Sequence, residues 1–248
     1  HSWPAVPVVA SRTWRRPVAK MLARSMRLWR QPPTSYVGCW PSDGHAMTTF
    51  DHLLDVRRRR GAGYLTLLDP DRLSLEDLAE RAEACAAAGA DAILVGTSLM
   101  LSAARNAALF DRLHEIVDIP IISFPGDAGQ VVANADAILF LSMVSGRNPE
   151  LLIGQQVRAA PVLKEYGVEV IATAYMLIES GTLTSTEYMS ATRPIPRAKA
   201  DIAMAHALAA QYLGMGMVYL ETGSGAQQSV DTRMVEAVSS YVDIPVIV

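Results

Sequence analysis

The stretch YLTLLDPDRLSLEDLAERAEACAAAGADAILV, residues 64–95, carries the pattern that decides the fold. It begins and ends with a short apolar run, 64–68 and 92–95, of the kind that forms a buried parallel strand. The amphipathic segment between them predicts a helix over 75–88, with Ser74 as N-cap, Asp77 three residues later and Gly89 as the stop. Strand, helix and strand in this order predict a parallel sheet covered by helices.

The same alternation continues to the last residue of the sequence. Further apolar runs predicted to be strands cover residues 120–123, 137–141, 169–172, 218–220 and 244–248. A helix is predicted over 150–166, with Asn148 as cap, Pro149 in the first turn and Gly167 at the end. The interval between the third and fourth runs is short and holds one proline and two glycines. We therefore expect no full helix there.

Composition is that of one globular α/β domain. The length of 248 residues suits a barrel, which commonly runs to ~250 residues, and a hydrophobic content of 50% excludes wholesale disorder. The two cysteines, Cys39 and Cys85, provide no disulfide framework and fit a reducing, cytoplasmic setting. The five histidines show no metal-ligand spacing. No apolar run reaches the ~18 residues of a membrane span.

Residues 1–46 differ sharply from the rest. They hold all four tryptophans, seven of the 22 Lys and Arg residues and one of the 25 acidic residues. One interpretation is a basic targeting arm or an anchor to a membrane surface. The favoured one is an upstream extension, with translation starting at Met47. Under either interpretation we expect residues 1–46 to be poorly ordered and residues 47–248 to form the barrel domain.

Function in a barrel lies on the loops that follow the strands. Asp69 and Asp71 follow the first strand and make a hard-cation site plausible, although Asp-Pro-Asp also forms ordinary turns. After the second strand, Thr97 and Ser98 could meet a phosphate or a metal, or could simply cap a helix. Tyr175, after the fifth predicted strand, could present its ring face to a cation or could simply pack.

The sixth strand leads into the segment with the clearest chemistry. Strand alternation points Tyr219 and Glu221 to the side opposite Leu220, so Glu221 faces the barrel mouth if Leu220 packs outward. A carboxylate there is costly to bury without a task or a partner. The Gly-Ser-Gly run 223–225 frees backbone N–H groups to surround a phosphate.

Six motifs occur together in order and spacing. They are Leu67-Leu68-Asp69-Pro70-Asp71, Gly96-Thr97-Ser98, Phe124-Pro125-Gly126, Ser145-Gly146-Arg147-Asn148-Pro149, Thr173-Ala174-Tyr175 and Tyr219-Leu220-Glu221-Thr222-Gly223-Ser224-Gly225-Ala226. Together they resemble the geranylgeranylglyceryl phosphate synthase family, which includes the PcrB-type heptaprenylglyceryl phosphate synthases. The resemblance covers roughly residues 50–248.

The resemblance implies an α/β fold, a modified TIM (β/α)₈ barrel that lacks one helix. It implies a Mg²⁺-dependent prenyltransferase that joins a polyprenyl diphosphate, with geranylgeranyl the expected donor, to the C3 hydroxyl of sn-glycerol 1-phosphate in membrane phospholipid biosynthesis. Asp69 and Ser98 would bind Mg²⁺, Glu221 would be the base and Tyr175 would steady the allylic cation. The glycerol phosphate site would comprise Tyr219, Leu220, Glu221, Thr222, Gly223, Ser224 and Gly225. A homo-oligomer and peripheral contact with a membrane are also implied.

The residue chemistry suits this reaction independently. Diphosphate leaves poorly until a metal ion neutralises its charge, an aromatic face stabilises a cation without attacking it, and one carboxylate suffices to deprotonate the acceptor alcohol. The sequence does not show which residues form the apolar groove that the long prenyl chain needs.

Three departures from the family pattern stand out. Arg72 lies where lysine is frequent, and Thr222 replaces a residue that is usually small or aromatic. The family also continues beyond the position of Val248 into a Gly-rich loop after strand seven and a Gly-Asn pair after strand eight. We therefore expect a barrel truncated after strand 7, with only part of the phosphate site.

Two alternatives to the prenyltransferase stay open. One is another phosphate-binding TIM-barrel enzyme, such as a sugar-phosphate isomerase or an aldolase, and an aldolase would need a lysine that the visible strand ends do not offer. The other is an inactive truncated barrel.

Overall fold

The structure, a computed structural model, describes residues 47–71, 73–96 and 103–248. The predictions made for residues 1–46, for Arg72 and for Ser98 therefore lie outside the described residues.

Seven strands and seven α-helices occur along these ranges. The strands are β1 (Leu65–Leu68), β2 (Ala92–Val95), β3 (Ile121–Ser123), β4 (Ala137–Met143), β5 (Glu169–Leu177), β6 (Met217–Glu221) and β7 (Val246–Ile247). The α-helices are α1 (Thr49–Arg60), α2 (Leu75–Ala87), α3 (Ala103–His114), α4 (Gln155–Tyr166), α5 (Ser185–Ser190), α6 (Ala200–Tyr212) and α7 (Thr232–Tyr241). A 3₁₀ turn covers Ala128–Gln130 and a π-helical turn covers Glu150–Gly154.

The strands form one parallel sheet in sequence order, β1 to β7. One apolar cluster takes at least one side chain from every strand, from Leu65 on β1 to Ile247 on β7. A flat sheet could not bring both of its edges to one cluster, so the sheet curls around a shared interior. The predicted α/β fold of TIM-barrel type, with seven strands up to Val248, is confirmed.

Helices cover the outer side of the sheet. On one part, α6 and α7 bury alanines, Met234 and Val238 against Val218 and Leu220 of β6. On another, α2 and α3 bury Leu78 and Phe110 against β1, β2 and β3. The α2 helix begins with a capping box between Ser74 and Asp77, and Gly89 adopts φ +92° just past its end. Both of these features follow the sequence prediction.

Helix α1 packs at the end of the barrel where the strands begin. Phe50 is buried in the interior cluster with residues of β2 to β6. The N–H groups of Thr49 and Phe50 donate to the two carboxylate oxygens of Glu169, at 2.7 and 3.0 Å. Because Glu169 is the first residue of β5, one carboxylate ties the start of the helix to the start of a central strand.

The largest differences between the predicted and the observed elements concern the fifth strand and the helix over 150–166, while β4 extends two residues beyond its predicted end, to Met143. The fifth strand, predicted over 169–172, extends to Leu177, because β4 and β6 flank it and pair with its backbone as far as Tyr175 and Leu177 respectively. The helix predicted over 150–166 begins with a π-helical turn. The sequence prediction of no full helix between the third and fourth strands is confirmed, because only the 3₁₀ turn lies there.

The π-helical turn is held by side chains from neighbouring elements. The Ser142 hydroxyl donates to the carbonyl of Leu152 at 2.7 Å, and the Gln156 amide donates to the carbonyl of Leu151 at 3.1 Å. At Gly154 a Cβ would lie 2.3 Å from a carboxylate oxygen of Glu150. These contacts satisfy carbonyls that an α-helix would pair internally, which lets the turn persist. Among the described residues, no helix combines the length and apolarity needed to cross a bilayer.

Candidate active site

One cavity of about 580 Å³ lies at the carboxyl ends of the strands. Residues from the ends of six neighbouring strands line it: Leu67 and Asp69, Gly96, Phe124, Met143, Tyr175 and Glu221. This is the edge of a parallel barrel at which catalytic residues collect, and the volume is that of a typical small-ligand site. Asp69, Tyr175 and Glu221, all singled out from sequence, therefore share one cavity.

Asp69 is held at the end of β1 by its own loop. Its Oδ1 accepts the N–H of Asp71 at 3.0 Å, which folds the Asp-Pro-Asp segment back on the carboxylate. Over the described ranges, no group of three or more His, Cys, Asp and Glu side chains could hold a metal ion by itself. A single carboxylate still fits Mg²⁺, which is commonly bound by one or two carboxylates together with substrate phosphates.

Glu221 ends β6, and its carboxylate is held in place by two backbone donors. Oε1 accepts the N–H groups of Thr222 at 3.0 Å and of Gly223 at 2.8 Å. The Tyr219 phenol lies near enough for the charge of Glu221 to raise its pKa. These contacts restrict the side chain to one orientation, as a positioned general base requires.

The loop after β6 makes two sharp turns. Gly223 and Gly225 adopt φ +89° and +84°, values that a side chain would strain. A Cβ at residue 223 would also lie 2.3 Å from the Thr184 hydroxyl oxygen. The carbonyl of Ser224 accepts the N–H of Ser185 at 3.3 Å, and both serines line the cavity. The loop is thus packed against the start of α5 and turns toward the cavity.

Tyr175 lies inside β5 and not after it, which corrects its expected position. It is buried, with an exposed fraction of 6%, yet it lines the cavity. Burial raises the pKa of its hydroxyl well above 10, and the negative charge of Glu221 raises that pKa further. Thr186 of α5 lies beside the phenol. The ring is therefore neutral and fixed between the sheet and α5.

The remaining predicted substrate residues take different positions. Tyr219 packs in the barrel interior behind the cavity, and Leu220 packs outward against the helices. The outward direction of Leu220 confirms the alternation inferred from sequence and leaves only its backbone on the side of the site. Ser224 and Glu221 line the cavity, whereas Thr222 is buried beside them and Gly225 is exposed in the loop. Burial raises the pKa of the Tyr219 phenol, and so does the nearby negative charge of Glu221.

The cavity continues into an apolar groove on the outer side of β4. Ile138 and Phe140 pack there with Ala159 of α4 and with Val131, and all four residues line the cavity. The 3₁₀ turn lies across the groove and is tied to α4 by the N–H of Ala128, which donates to the Gln155 amide oxygen at 2.8 Å. The groove exists because a three-residue turn replaces the helix that would otherwise cover β4.

Sequence reasoning left two features of this site without a role. Phe124 was noted only as part of a motif, and the groove residues were not identified. The short interval after the third strand was the available signal for the groove, because a missing helix leaves the next strand uncovered. No local pattern indicates that Phe124 faces Tyr175, since 51 positions separate them.

Known proteins with similar sequences include geranylgeranylglyceryl phosphate synthases. The sequence model of the PcrB family matches residues 54–248. A geranylgeranylglyceryl phosphate synthase of Chitinophaga pinensis is 42% identical over 199 residues, which cover 80% of this chain and 79% of that protein. One from Thermococcus gammatolerans is 42% identical over 185 residues, which cover 75% and 73%.

Two solved structures that resemble this chain are also those of geranylgeranylglyceryl phosphate synthases. The (S)-3-O-geranylgeranylglyceryl phosphate synthase of Thermoplasma acidophilum, in complex with its substrate sn-glycerol-1-phosphate, is 33% identical with a TM-score of 0.76, and 81% of this chain and 80% of that one are covered. The wild-type GGGPS of Thermoplasma volcanium is 30% identical with a TM-score of 0.76, and the coverages are 81% and 79%.

Proposed function

The chain belongs to the PcrB family and is a prenyltransferase that acts on glycerol phosphate, and from this premise we propose its reaction in detail. It joins geranylgeranyl diphosphate to the C3 hydroxyl of sn-glycerol 1-phosphate, with Mg²⁺, as a step in the synthesis of membrane phospholipids. One observation carries the proposal: a single cavity connects carboxylates at the strand ends to an apolar groove. A substrate pair with phosphates and a long hydrocarbon chain needs both parts.

Glu221 is the general base. Its carboxylate is oriented by the N–H groups of Thr222 and Gly223, and it accepts the proton of the acceptor hydroxyl as the ether bond forms. A positioned carboxylate in this role contributes on the order of 10²–10⁴-fold to the rate. The glycine loop beside it places backbone N–H groups and the Ser224 hydroxyl where the phosphate of the acceptor would lie.

Tyr175 stabilises the positive charge that develops on the donor. Its face lines the same cavity as Glu221, and its raised pKa keeps the phenol protonated, so no phenolate forms to attack the cation. Asp69 and Ser98 are the residues that would hold Mg²⁺. When bound, the ion would neutralise the charge of the diphosphate leaving group.

The groove beside β4 takes the prenyl chain. Ile138, Phe140, Val131 and Ala159 supply an apolar surface that continues from the polar part of the cavity. Burial of the chain there contributes roughly 0.8 kcal/mol for each methylene group removed from water. The aldolase alternative gains no support, since no lysine is among the described residues that line the cavity.

The decisive test is an ether-synthesis assay with sn-glycerol 1-phosphate, geranylgeranyl diphosphate and Mg²⁺. We expect Glu221→Gln to lower kcat by roughly 10²–10⁴-fold while circular dichroism and the melting temperature stay close to wild type. The matched control is Glu179→Gln, an exposed carboxylate just past β5 that binds the N–H of Arg197 and does not line the cavity. Absence of ether product with this donor and with shorter and longer ones would refute the function.

Contact with a membrane is a further part of the proposal, because the donor and the product are lipids. Leu183, Tyr188 and Met189, on and just before α5, are 64%, 74% and 67% exposed, and Met189 lines the cavity. Apolar side chains at the cavity rim would enter the bilayer interface when the substrate is taken up. Self-association, which the family resemblance also implies, stays a prediction.

A further inference from the structure

Three aromatic rings meet at the polar end of the cavity. The centroid of Phe124 lies 6.4 Å from that of Tyr175 and 5.4 Å from that of Tyr219, and the two tyrosine rings are 5.8 Å apart. Phe124 and Tyr175 are nearly parallel, at 21°, and both line the cavity, whereas Tyr219 packs behind them. The rings of the cluster that face the cavity are therefore the phenyl ring of Phe124 and the phenol ring of Tyr175.

The position of Phe124 is fixed by its backbone. Its N–H donates to the carbonyl of Val95 at 2.8 Å, which extends the pairing of β2 with β3 by one residue. A Cβ on Gly96 would lie 2.0 Å from the Phe124 carbonyl oxygen, so only glycine permits this approach. The ring is thus held beside the end of β2, at the part of the cavity that Asp69 and Glu221 also line.

We propose that Phe124 is a catalytic residue whose ring, together with that of Tyr175, stabilises the allylic cation formed from the donor. This inference rests on the proposed prenyl transfer. In that reaction the bond between C1 of the donor and the diphosphate oxygen breaks, and its electron pair leaves with the diphosphate. The acceptor hydroxyl oxygen forms the new bond to C1, and its proton passes to Glu221.

The absence of a hydroxyl makes Phe124 suited to this task. An aromatic face attracts a cation through its quadrupole, and a phenyl ring offers no oxygen that could trap the cation. The two tyrosines of the cluster each carry a hydroxyl, that of Tyr219 near Glu221 and that of Tyr175 near Thr186. A tyrosine at position 124 would add a hydroxyl oxygen that could trap the cation.

The test replaces Phe124 with phenylalanines that carry one, two and three fluorines on the ring. Fluorine withdraws charge from the ring face and leaves the shape of the side chain nearly unchanged, so it weakens the attraction for a cation. We expect the single-turnover rate constant to fall stepwise, by about tenfold across the series, with the KM for glycerol phosphate constant within about twofold. Phe124→Leu should lose at least as much.

The matched control is the same fluorine series at Phe50, which is buried in the same cluster near the start of the strands and should leave the rate unchanged. A rate constant that does not vary with fluorine number at position 124, in an active enzyme, overturns the role of Phe124 and leaves the proposed function standing. No ether product from the wild-type enzyme overturns both. Equal losses in the Phe50 series would assign the effect to packing and would also overturn the proposal.

Discussion

At the scale of single residues, Tyr219, Tyr175 and Glu221 have different roles in the site. Tyr219 faces the barrel interior near Glu221, while Tyr175 turns its ring to the cavity. Burial and the nearby negative charge raise the pKa of both phenols. The carboxylate therefore has neutral neighbours, which can orient it without repelling it.

The raised pKa values have a consequence for stability at high pH. Above pH 10, the ordinary pKa of a phenol, an unfolded chain loses these protons while the folded protein retains them. The unfolded state then binds fewer protons, so the free energy of unfolding falls as pH rises, by ~1.4 kcal/mol per pH unit for each tyrosine. We expect Tyr219→Phe to remove one such contribution from the slope between pH 10 and 11, measured by urea unfolding.

The control for this slope is Tyr212→Phe, whose ring is 77% exposed and whose variant should keep the wild-type slope. If Tyr219→Phe and the wild-type protein lose stability equally between pH 10 and 11, then the phenol of Tyr219 is not kept neutral by the fold.

At the scale of elements, α5 connects the parts of the site. Its N-terminal turn packs on the glycine loop through Thr184 and Ser185, Thr186 lies beside Tyr175, and its outer side exposes apolar residues. A segment of six residues is too short to be stable alone. It is held by these contacts, so the phosphate loop, the cation-stabilising ring and the proposed membrane contact are structurally linked.

The membrane contact predicts a specific loss on substitution of two residues. We expect Leu183→Ser combined with Tyr188→Ser to weaken co-sedimentation with vesicles of phosphatidylcholine and anionic lipid by about tenfold or more, since two apolar side chains leave the interface. Neither residue lines the cavity, so turnover of a short, water-soluble donor should stay near wild type.

The control for vesicle binding is Tyr212→Ser combined with Leu213→Ser. These residues are 77% and 76% exposed but lie near the start of β6, away from the cavity. An equal loss of binding in the control, or none in the α5 variant, would contradict a membrane contact through α5.

At the scale of the whole molecule, the barrel is organised by its two ends. The carboxyl ends of the strands carry the cavity. The opposite end is filled by Phe50 of α1, and Glu169 binds the first two N–H groups of that helix. The stability of the fold and the reaction therefore depend on separate sets of residues, as is usual in such barrels.

The contribution of the contact between Glu169 and α1 can be measured as a change in the free energy of unfolding. Glu169→Ala leaves two partly buried N–H groups of α1 without their acceptor, and we expect the free energy of unfolding to fall by roughly 1.5–3 kcal/mol. The measurement is urea denaturation. The control is Glu165→Ala on the exposed side of α4, which should change stability by no more than about 0.5 kcal/mol. Equal effects of the two substitutions would show that Glu169 does not anchor α1.

Most of the fold could be predicted from the sequence because its signals are local. The β2 strand was predicted to the residue, and the capping box at Ser74 and Asp77 and the stop at Gly167 follow from neighbours in the chain. The length of β5 could not be predicted from the sequence, because residues 173–177 are held in the strand by pairing with β4 and β6. The π-helical turn likewise depends on Ser142, which reaches it from β4.

The sequence by itself determined the family, the parallel barrel, and the placement of Asp69 and Glu221 at strand ends, because short motifs and strand alternation act over a few residues. Only the tertiary structure decided that Phe124 faces Tyr175, that Tyr219 lies near Glu221 behind the cavity, and that the groove runs outside β4. Each of these depends on how the sheet curls and on which helix is missing. Contacts between residues far apart in the chain leave no local pattern in the sequence.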